Sequence, residues 1–209
     1  MKKIREYIKS NPFVLILAYW PIHGLWYLIL QETTMNRNPV AIYNSLDSAI
    51  PFCEWFILPY VLWYPFIIAV SLYMLMKNKE GFVRLYTFMF GGMFVCMLVC
   101  TVFPMYFDRS NIVMYQNDNF LTDAVKFLQG FDAPTTILPS MHVYVSCGLY
   151  FSVMKDKMLS KGLKAASLAL TVGICLATVL IKQHSVYDVA AALVLCIPMY
   201  VFAFKSSFP

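Results

Sequence analysis

Long apolar stretches, each nearly free of charged residues, recur six times along the chain and are separated by polar segments. Most of them have about the 20 residues that a helix needs to cross the apolar core of a membrane. The last two are shorter, and they reach that length only if neighbouring polar side chains extend toward the headgroups. The pattern predicts six transmembrane helices, at about 11–31, 55–76, 85–107, 138–154, 165–182 and 187–204.

The composition agrees with this prediction. Of the 209 residues, 60% are hydrophobic and 13% are charged, and the mean hydropathy is +0.65. A soluble domain carries about 25% charged residues, roughly twice as many. We therefore predict an all-α integral membrane protein, in which one bundle of six transmembrane helices forms a single domain over residues 1–209.

Basic residues are distributed unevenly between the two sides of the predicted bundle. If each apolar stretch crosses once, twelve of the 16 lysines and arginines fall on one side. Because cytoplasmic loops are enriched in basic residues, this side and both termini are expected to be cytoplasmic. These anchors explain the net charge of +5, and no nucleic-acid partner is predicted. They are Lys2, Lys3, Arg5, Lys9, Lys77, Lys79, Arg84, Lys155, Lys157, Lys161, Lys164 and Lys205.

Three longer polar segments, 32–54, 108–132 and 182–188, lie on the opposite side. They hold eight of the 11 acidic residues and only four basic ones. Within the second segment, residues 121–129 have a helical pattern and are expected to form a short helix along the membrane surface. Any chemistry is expected on this face. The small size and the lack of a targeting signal favour a bacterial cytoplasmic membrane, with the active face pointing outward.

Two of the three histidines open predicted spans on this face. His184 precedes Asp188 by four residues, a spacing that puts both side chains on one helical face, where the carboxylate can hold an imidazole nitrogen. His142 follows Pro139 and Ser140 and supplies a second acid–base group. The structural alternative is a hydrogen-bonded interfacial histidine and a helix-capping pair. Together, however, the residues point to phosphoryl chemistry on a histidine.

The motifs around these histidines resemble those of the type 2 phosphatidic acid phosphatase superfamily. Pro-Ser-Met-His at 139–142 resembles the second signature of the family, and His184 with Asp188 resembles the third. The segment 103–109 resembles the end of the first signature, with Ser110 in place of the usual proline. The resemblance runs from about the second predicted span to the sixth. It is closest to the branch that contains inositol phosphorylceramide synthases, alongside lipid phosphatases.

The resemblance implies roles for the individual residues. His184 would attack phosphorus to give a phosphohistidine, while Asp188 holds its other nitrogen. His142 would protonate the leaving oxygen and then activate the incoming water or alcohol. No metal or other cofactor is expected. Three further residues would neutralise the phosphate oxygens: Arg109, Ser140 and Lys182.

Two positions depart from the pattern of the family. Val102 stands where the first signature usually has a lysine, and Thr178 stands where the third usually has an arginine. Lys182 lies one helical turn beyond Thr178, and its long side chain could bring an ammonium to the same anion. We therefore expect Lys182 to replace the missing arginine.

Three functions remain open at the level of the sequence. The first is a phosphatase that hydrolyses a phospholipid or isoprenoid phosphate. The second is a phosphotransferase that passes the phosphoryl headgroup to a lipid or sugar alcohol. The third is a non-catalytic membrane protein or transporter that holds an anionic headgroup. Membrane lipids are expected partners in each case, and no particular oligomeric state is predicted.

Overall fold

The computed structural model describes residues 10–115 and 117–205. Lys2, Lys3, Arg5 and Lys9, on which the predicted orientation partly depends, lie outside the described residues. The α-helices are α1 (Tyr19–Thr33), α2 (Ser45–Ala49), α3 (Ile57–Val61), α4 (Trp63–Lys77), α5 (Lys79–Val102), α6 (Phe120–Phe131), α7 (Met141–Lys155), α8 (Lys161–Leu180) and α9 (Val186–Tyr200). The strands are β1 (Val40–Ile42) and β2 (Met105–Phe107).

Among the described residues, five helical segments are long and apolar enough to cross a membrane, as expected of an all-α membrane protein. Short 3₁₀ turns extend α1 at both ends and precede α3, and a π-helical turn follows α9. α3 and α4 together form one of the five segments. The segments are Pro12–Arg37, Glu54–Lys77, Lys79–Val102, Lys161–Leu180 and Val186–Lys205.

The span predicted at 138–154 corresponds to α7, which lies at the centre of the bundle. It packs against α4, α5, α8 and α9. Its 15 residues make it about 22 Å long, shorter than the roughly 30 Å of a membrane core. Ser140 caps the helix, which therefore begins three residues later than predicted. A sixth membrane span stays a prediction.

The third predicted span, 85–107, differs from the structure at both ends. α5 begins six residues earlier, at Lys79, because the side chain of Asn78 accepts a 2.8 Å hydrogen bond from the N–H of Gly81 and caps the helix. It ends at Val102, because Pro104 disfavours a helical conformation at the residue before it. Residues 105–107 form β2 instead of helix, so the fold contains a small parallel sheet that the all-α prediction lacked.

Hydrogen bonds join the predicted cytoplasmic connectors at one end of the bundle, which we call the lysine end. Asn78 Nδ2 donates to Asp156 Oδ2 over 2.9 Å, and Arg84 Nη1 donates to the carbonyl oxygen of Ala203 over 3.1 Å. These contacts bring together the segments that carry the described anchors: Lys77, Lys79, Arg84, Lys155, Lys157, Lys161, Lys164 and Lys205.

The three longer polar segments meet at the opposite end, which we call the histidine end. β1 pairs with β2 in parallel, with Val40 opposite Met105. The N–H of Cys53 donates to the carbonyl oxygen of Leu180 at the end of α8 over 3.0 Å. Segments that are far apart in the chain therefore form one cap over the ends of the long helices.

The short helix predicted at about 121–129 falls within α6, at Phe120–Phe131. It starts after Asn119, whose Oδ1 accepts a 3.0 Å hydrogen bond from the N–H of Thr122. Three phenylalanines are 76–83% exposed: Phe120, Phe127 and Phe131. Exposed aromatic rings on an amphipathic helix are typical of helices in the membrane interface. The location of α6 at the membrane surface stays a prediction.

A close approach between α5 and α7 fixes the core beside the site. Gly92 of α5 faces Tyr144 of α7, and a Cβ atom at Gly92 would overlap the tyrosine ring. The Tyr144 hydroxyl donates a 2.6 Å hydrogen bond to the carbonyl oxygen of Phe88, and the two aromatic rings stack 4.5 Å apart. Glycine thus permits the helix contact that holds α7 in place.

Candidate active site

The predicted pair of His184 and Asp188 forms at the N-terminus of α9. His184 Nδ1 lies 3.2 Å from Asp188 Oδ2, and the N–H of Ser185 donates to the same oxygen over 2.9 Å. The pair does not meet on one helical face as predicted. Ser185 is the N-cap, so His184 precedes the helix, and the side chain of Asp188 turns back toward it in a capping box. This arrangement leaves Nε2 of His184 available to a ligand.

His142 is the second residue of α7 and lies between two aromatic rings. Its ring centroid is 4.4 Å from that of Tyr60, nearly stacked, and 4.4 Å from that of Trp63. The Tyr60 hydroxyl is 3.5 Å from Nδ1. The other nitrogen, Nε2, is buried and has no hydrogen-bond partner among the residues that the structure describes. The two rings therefore hold the imidazole in place while one nitrogen remains for a ligand.

The two imidazoles face the same cavity. The ring centroids of His142 and His184 are 5.8 Å apart, and the ring planes are inclined by 59°. Both rings line a small cavity at the histidine end, which we call the histidine cavity. A single tetrahedral group between the rings can contact both of them. The structure therefore brings together His142, His184 and Asp188, the three residues predicted to be catalytic.

The histidine cavity is narrow and partly polar. Its volume is about 30 Å³, enough for at least one water molecule. Its walls come from Tyr27 of α1, from the loop between α6 and α7, from the first turn of α7, and from Gln183 and His184. This size suits a group of a few heavy atoms, such as a phosphoryl group, better than a whole lipid headgroup.

Three hydrogen bonds connect four side chains along one wall of the cavity. Arg109 Nη2 donates to Gln183 Oε1 over 2.8 Å, and Gln183 Nε2 donates to Asp132 Oδ2 over 3.1 Å. The other carboxylate oxygen of Asp132 accepts a hydrogen bond from the hydroxyl of Tyr27. The sequence did not single out Gln183, Asp132 or Tyr27. Only the position of Gln183 next to His184 could have indicated one of them.

Arg109, predicted to bind phosphate, lies behind Gln183 and does not line the cavity. Burial lowers the pKa of its guanidinium, because the charged form is removed from water. Its Nε atom is buried without a hydrogen-bond partner in the described part of the chain. The cation therefore acts on the cavity through the amide of Gln183, and a ligand contact would require that amide to move.

Lys182, also predicted to bind phosphate, contacts the backbone of another loop instead. Its ammonium donates to the carbonyl oxygens of Asp47 and Ile50 over 2.7 and 2.6 Å. The side chain is 1% exposed and does not line the histidine cavity. Its backbone is left-handed, with φ of 58°, where the chain turns from α8 into α9. The structure does not bring Lys182 to the position expected of the missing arginine.

Ser140 takes the structural role of a helix cap. Its Oγ lies 3.5 Å from the N–H of Val143 as the N-cap of α7, and its own N–H donates to the carbonyl oxygen of Asp188 over 3.1 Å. The residue is fully buried and does not line the cavity. The backbone N–H groups of Ser140 and Val143 are therefore already hydrogen-bonded within the chain. The serine links the start of α7 to the start of α9, and so His142 to His184.

Two threonines that the sequence did not indicate line the cavity instead. Thr135 and Thr136 are buried in the loop between α6 and α7, and neither Oγ1 has a hydrogen-bond partner within 10–115 and 117–205. Unpaired buried hydroxyls are visible only in three dimensions, so no sequence signal could have identified them.

The described residues contain no group of three or more histidine, cysteine or acidic side chains that could hold a metal ion. The candidate site consists of a pair of imidazoles, a carboxylate that holds one of them, and the polar wall of a small buried cavity.

Comparisons of the chain with protein-family models, with curated proteins and with solved structures gave no significant match.

Proposed function

We propose that the protein is a membrane enzyme that hydrolyses a lipid phosphomonoester or diphosphate through a phosphohistidine intermediate. One observation carries the proposal: two imidazoles 5.8 Å apart line one buried cavity, and each has one nitrogen left for a ligand. The sequence motifs that resemble those of the type 2 phosphatidic acid phosphatase superfamily support the same assignment. We assign the chain to this family as part of the proposal.

In the first step, Nε2 of His184 attacks phosphorus, so that a P–N bond forms as the P–O bond to the lipid breaks. Asp188 holds Nδ1 at 3.2 Å, which orients the ring and stabilises the positive charge that develops on it. Protonated His142 gives its proton to the departing oxygen, which leaves as a lipid alcohol, or as a phosphorylated lipid from a diphosphate.

In the second step, neutral His142 takes a proton from a water molecule as the water oxygen attacks phosphorus. The P–N bond breaks, and inorganic phosphate leaves with His184 neutral again. His142 can act as acid and then as base, because each step restores the form of the imidazole that the other step needs.

An apolar groove supports a lipid as the substrate. It lies between α1 and α4, has a volume of about 450 Å³, and is lined by residues that include Trp20, Trp63 and Ser71; we call it the Trp63 groove. Trp63 also lies against His142, so the groove begins beside the reactive ring. From Trp63 to Ser71 it follows α4 for about 12 Å. We assign this groove to an alkyl chain of the substrate.

The proposal includes an orientation. We propose six membrane spans, both termini in the cytoplasm, and the histidine end facing outward. The clustering of lysine and arginine at the lysine end supports it, because positive residues are retained on the cytoplasmic side.

Transfer to an alcohol is a second candidate reaction, because Asp132 lines the cavity. A carboxylate repels an anionic phosphate but accepts a hydrogen bond from a hydroxyl group. Tyr27 and Gln183 each donate to one of its oxygens, and the remaining acceptor capacity can position an acceptor alcohol. The same phosphohistidine would then pass its phosphoryl group to the alcohol instead of to water.

The test uses the purified full chain with ³²P-labelled phosphatidic acid and with a polyprenyl diphosphate, in excess chelator. We expect phosphate release and an acid-labile label on the protein. His184→Ala should lose both, and His142→Gln should lower turnover by roughly 10²–10⁴-fold. His23→Gln is the matched control, because this third histidine lies within α1, outside the cavity lining.

Full turnover by His184→Ala would contradict the proposal. Binding of the lipids without turnover by the wild-type chain would instead favour a non-catalytic headgroup-binding protein. Adding a lipid or sugar alcohol separates the two reactions, since a new phosphodiester or phosphomonoester of that alcohol identifies the transferase.

A further inference from the structure

The loop between α6 and α7 places two adjacent hydroxyl groups in an unusual position. Thr135 is 4% exposed and Thr136 is 6% exposed, and both line the histidine cavity. Neither Oγ1 atom has a hydrogen-bond partner among the residues described. Buried hydroxyls are normally paired, because a donor removed from water and left unpaired costs free energy. Two such groups side by side indicate that a partner is supplied from outside the chain.

A third unpaired atom belongs to the same cavity. His142 Nε2 is also buried without a partner in the described chain, so three buried polar atoms at this cavity lack a hydrogen bond. They surround a space of about 30 Å³, which a small polar group can fill. Each hydroxyl can donate one hydrogen bond, and Nε2 donates a third when the imidazole is protonated. A group with several acceptor atoms can therefore complete all three.

The two threonines are held firmly. The N–H of Phe107 in β2 donates to the carbonyl oxygen of Pro134 over 2.8 Å, and Thr135 pairs with Tyr106 in an isolated bridge. Thr136 has a φ of 56°, in the left-handed region that a β-branched residue rarely adopts. The backbone that carries the two hydroxyls is thus fixed before any ligand arrives, as in sites that stabilise a developing charge.

We propose that the hydroxyls of Thr135 and Thr136 bind the non-bridging oxygens of a phosphoryl group. This inference rests on the proposed function and names the residues that hold its reacting group. A tetrahedral oxyanion offers several acceptor oxygens in the small volume between the two threonines and His142. The loop preceding α7 is therefore the oxyanion-binding element of the site.

The charges around the cavity fit this assignment. No lysine or arginine lines the cavity within the described ranges, and both oxygens of Asp132 already accept hydrogen bonds from Tyr27 and Gln183. Arg109 bonds to the far side of the same Gln183 amide and offsets the negative charge of Asp132 from behind. Neutral hydroxyl donors then contact the oxyanion directly, and protonated His142 supplies the positive charge at short range.

The experiment measures binding of orthophosphate and of orthovanadate to the full chain in detergent, by calorimetry. Thr135→Val and Thr136→Val keep the shape of the side chain and remove its hydroxyl. We expect each to weaken oxyanion binding by roughly 10- to 100-fold, because each removes a hydrogen bond to a charged group. Thr135→Ser and Thr136→Ser keep the hydroxyl and should bind within a few-fold of wild type.

Thr122→Val is the matched control. Thr122 is fully buried in α6 and its Oγ1 is also unpaired in the described structure, but it does not line the cavity. This variant should bind orthophosphate as the wild type does. It separates loss of a ligand contact from the general effect of removing a buried hydroxyl, and the thermal midpoint of every variant reports whether it is folded.

The outcomes distinguish this inference from the proposed function. If both valine variants bind orthophosphate and orthovanadate as wild type does, or if the wild type binds neither ion, the assignment of the threonines is wrong. Retained turnover would then still support the phosphatase. Weaker binding in the valine variants without any turnover by the wild type would support the threonine site and contradict the enzyme. A higher KM with unchanged ion binding would assign the hydroxyls to the lipid alcohol and overturn the inference.

Discussion

The Ser185 hydroxyl donates a 2.7 Å hydrogen bond to Asp47 Oδ2, across 138 positions of the sequence. The other oxygen of the same carboxylate accepts a 2.9 Å hydrogen bond from the N–H of Val186. Asp47 is 2% exposed, and its two carboxylate oxygens accept from the N-cap and from the first residue of α9. A carboxylate at a helix N-terminus stabilises the helix through its unpaired N–H groups. Hydrogen bonds therefore connect the loop that contains α2 to the start of α9.

This contact bears on the proposed nucleophile. The N–H of Ser185 donates to Asp188 Oδ2, the oxygen that also holds His184. Asp47 fixes Ser185, Ser185 helps to orient Asp188, and Asp188 orients the imidazole. Asp47 touches neither imidazole in this chain of contacts, so we describe it as a positioning residue of the proposed reaction.

Replacing Asp47 by asparagine should lower turnover without weakening lipid binding. The amide can still accept from Val186, but its NH₂ group cannot accept from the Ser185 hydroxyl. We expect kcat to fall by roughly tenfold or more with KM unchanged, because the nucleophile is displaced while the cavity remains. The measurement is steady-state hydrolysis of the preferred lipid phosphate, with the thermal midpoint recorded in parallel.

A double-mutant cycle with Ser185→Ala tests the route of this effect. If Asp47 acts through Ser185, the combined loss in kcat will be smaller than the product of the single losses. Asp123→Asn, an exposed carboxylate of α6, is the control and should leave kcat unchanged. A rise in KM at constant kcat in Asp47→Asn would show that the residue contacts the substrate instead.

A second prediction concerns Lys182, which the sequence assigned to the phosphate and the structure places elsewhere. Because its ammonium binds two carbonyl oxygens, at Asp47 and Ile50, replacement by methionine leaves both buried acceptors unpaired. We expect a loss of about 2 kcal/mol of stability and a thermal midpoint lower by roughly 5 °C. Orthophosphate binding by the folded fraction should stay within a few-fold of wild type. A loss of that binding at unchanged midpoint would restore the role expected from the sequence.

The sequence predicted the helices well where composition alone determines them. Charge-free stretches of about 20 residues identified the long helices, and Pro104 could have indicated where α5 ends. The motifs identified His142 and His184, and the structure brings their rings to one cavity. Two contacts position these rings: the capping box at Ser185, which holds Asp188 beside His184, and the aromatic stack at His142. The capping box is local, whereas the stack depends on Tyr60 and Trp63, which are distant from His142 in the chain.

The residues proposed to bind phosphate were harder to predict, because a side chain's partner is set by tertiary structure. The sequence placed Lys182 one helical turn from Thr178, but the chain turns at Lys182 with a positive φ, so its side chain reaches the loop at Asp47. Thr135 and Thr136 follow a proline in the loop before α7, and no motif marks them. Their importance lies in what they lack, a partner for each buried hydroxyl, and the sequence cannot show that.

The lysine end allows a prediction that is independent of function. Burial alone would raise the pKa of Asp156, but hydrogen bonds from Asn78 and from the N–H of Met158 outweigh it and hold the pKa below its ordinary value of 3.8. A lowered pKa means that ionised Asp156 stabilises the fold above pH 3.8, and that this contribution is lost as the pH falls through the folded-state pKa.

The thermal midpoint of Asp156→Asn should accordingly lie below that of wild type at neutral pH and approach it in acid. Asp118→Asn is the control, since that carboxylate is 97% exposed and its loss should change the midpoint little. An offset that stays constant from pH 7 to pH 3 would contradict the assignment of the stabilisation to the ionised carboxylate.

The last prediction concerns the Trp63 groove and uses two matched serines. Ser71 lines this groove, and Ser167 lines a second apolar groove between α4 and α8; both are buried, and neither hydroxyl has a partner in the part of the chain that the structure describes. Ser71→Leu fills the proposed alkyl-chain site without touching His142. It should raise KM for a long-chain lipid phosphate by roughly tenfold, because two or three methylene groups of the substrate are no longer buried.

The measurement compares KM for long-chain and short-chain lipid phosphates. The short-chain substrate should be unaffected, and Ser167→Leu should change neither value. Equal effects of both substitutions, or an effect that does not depend on chain length, would show that the alkyl chain lies elsewhere.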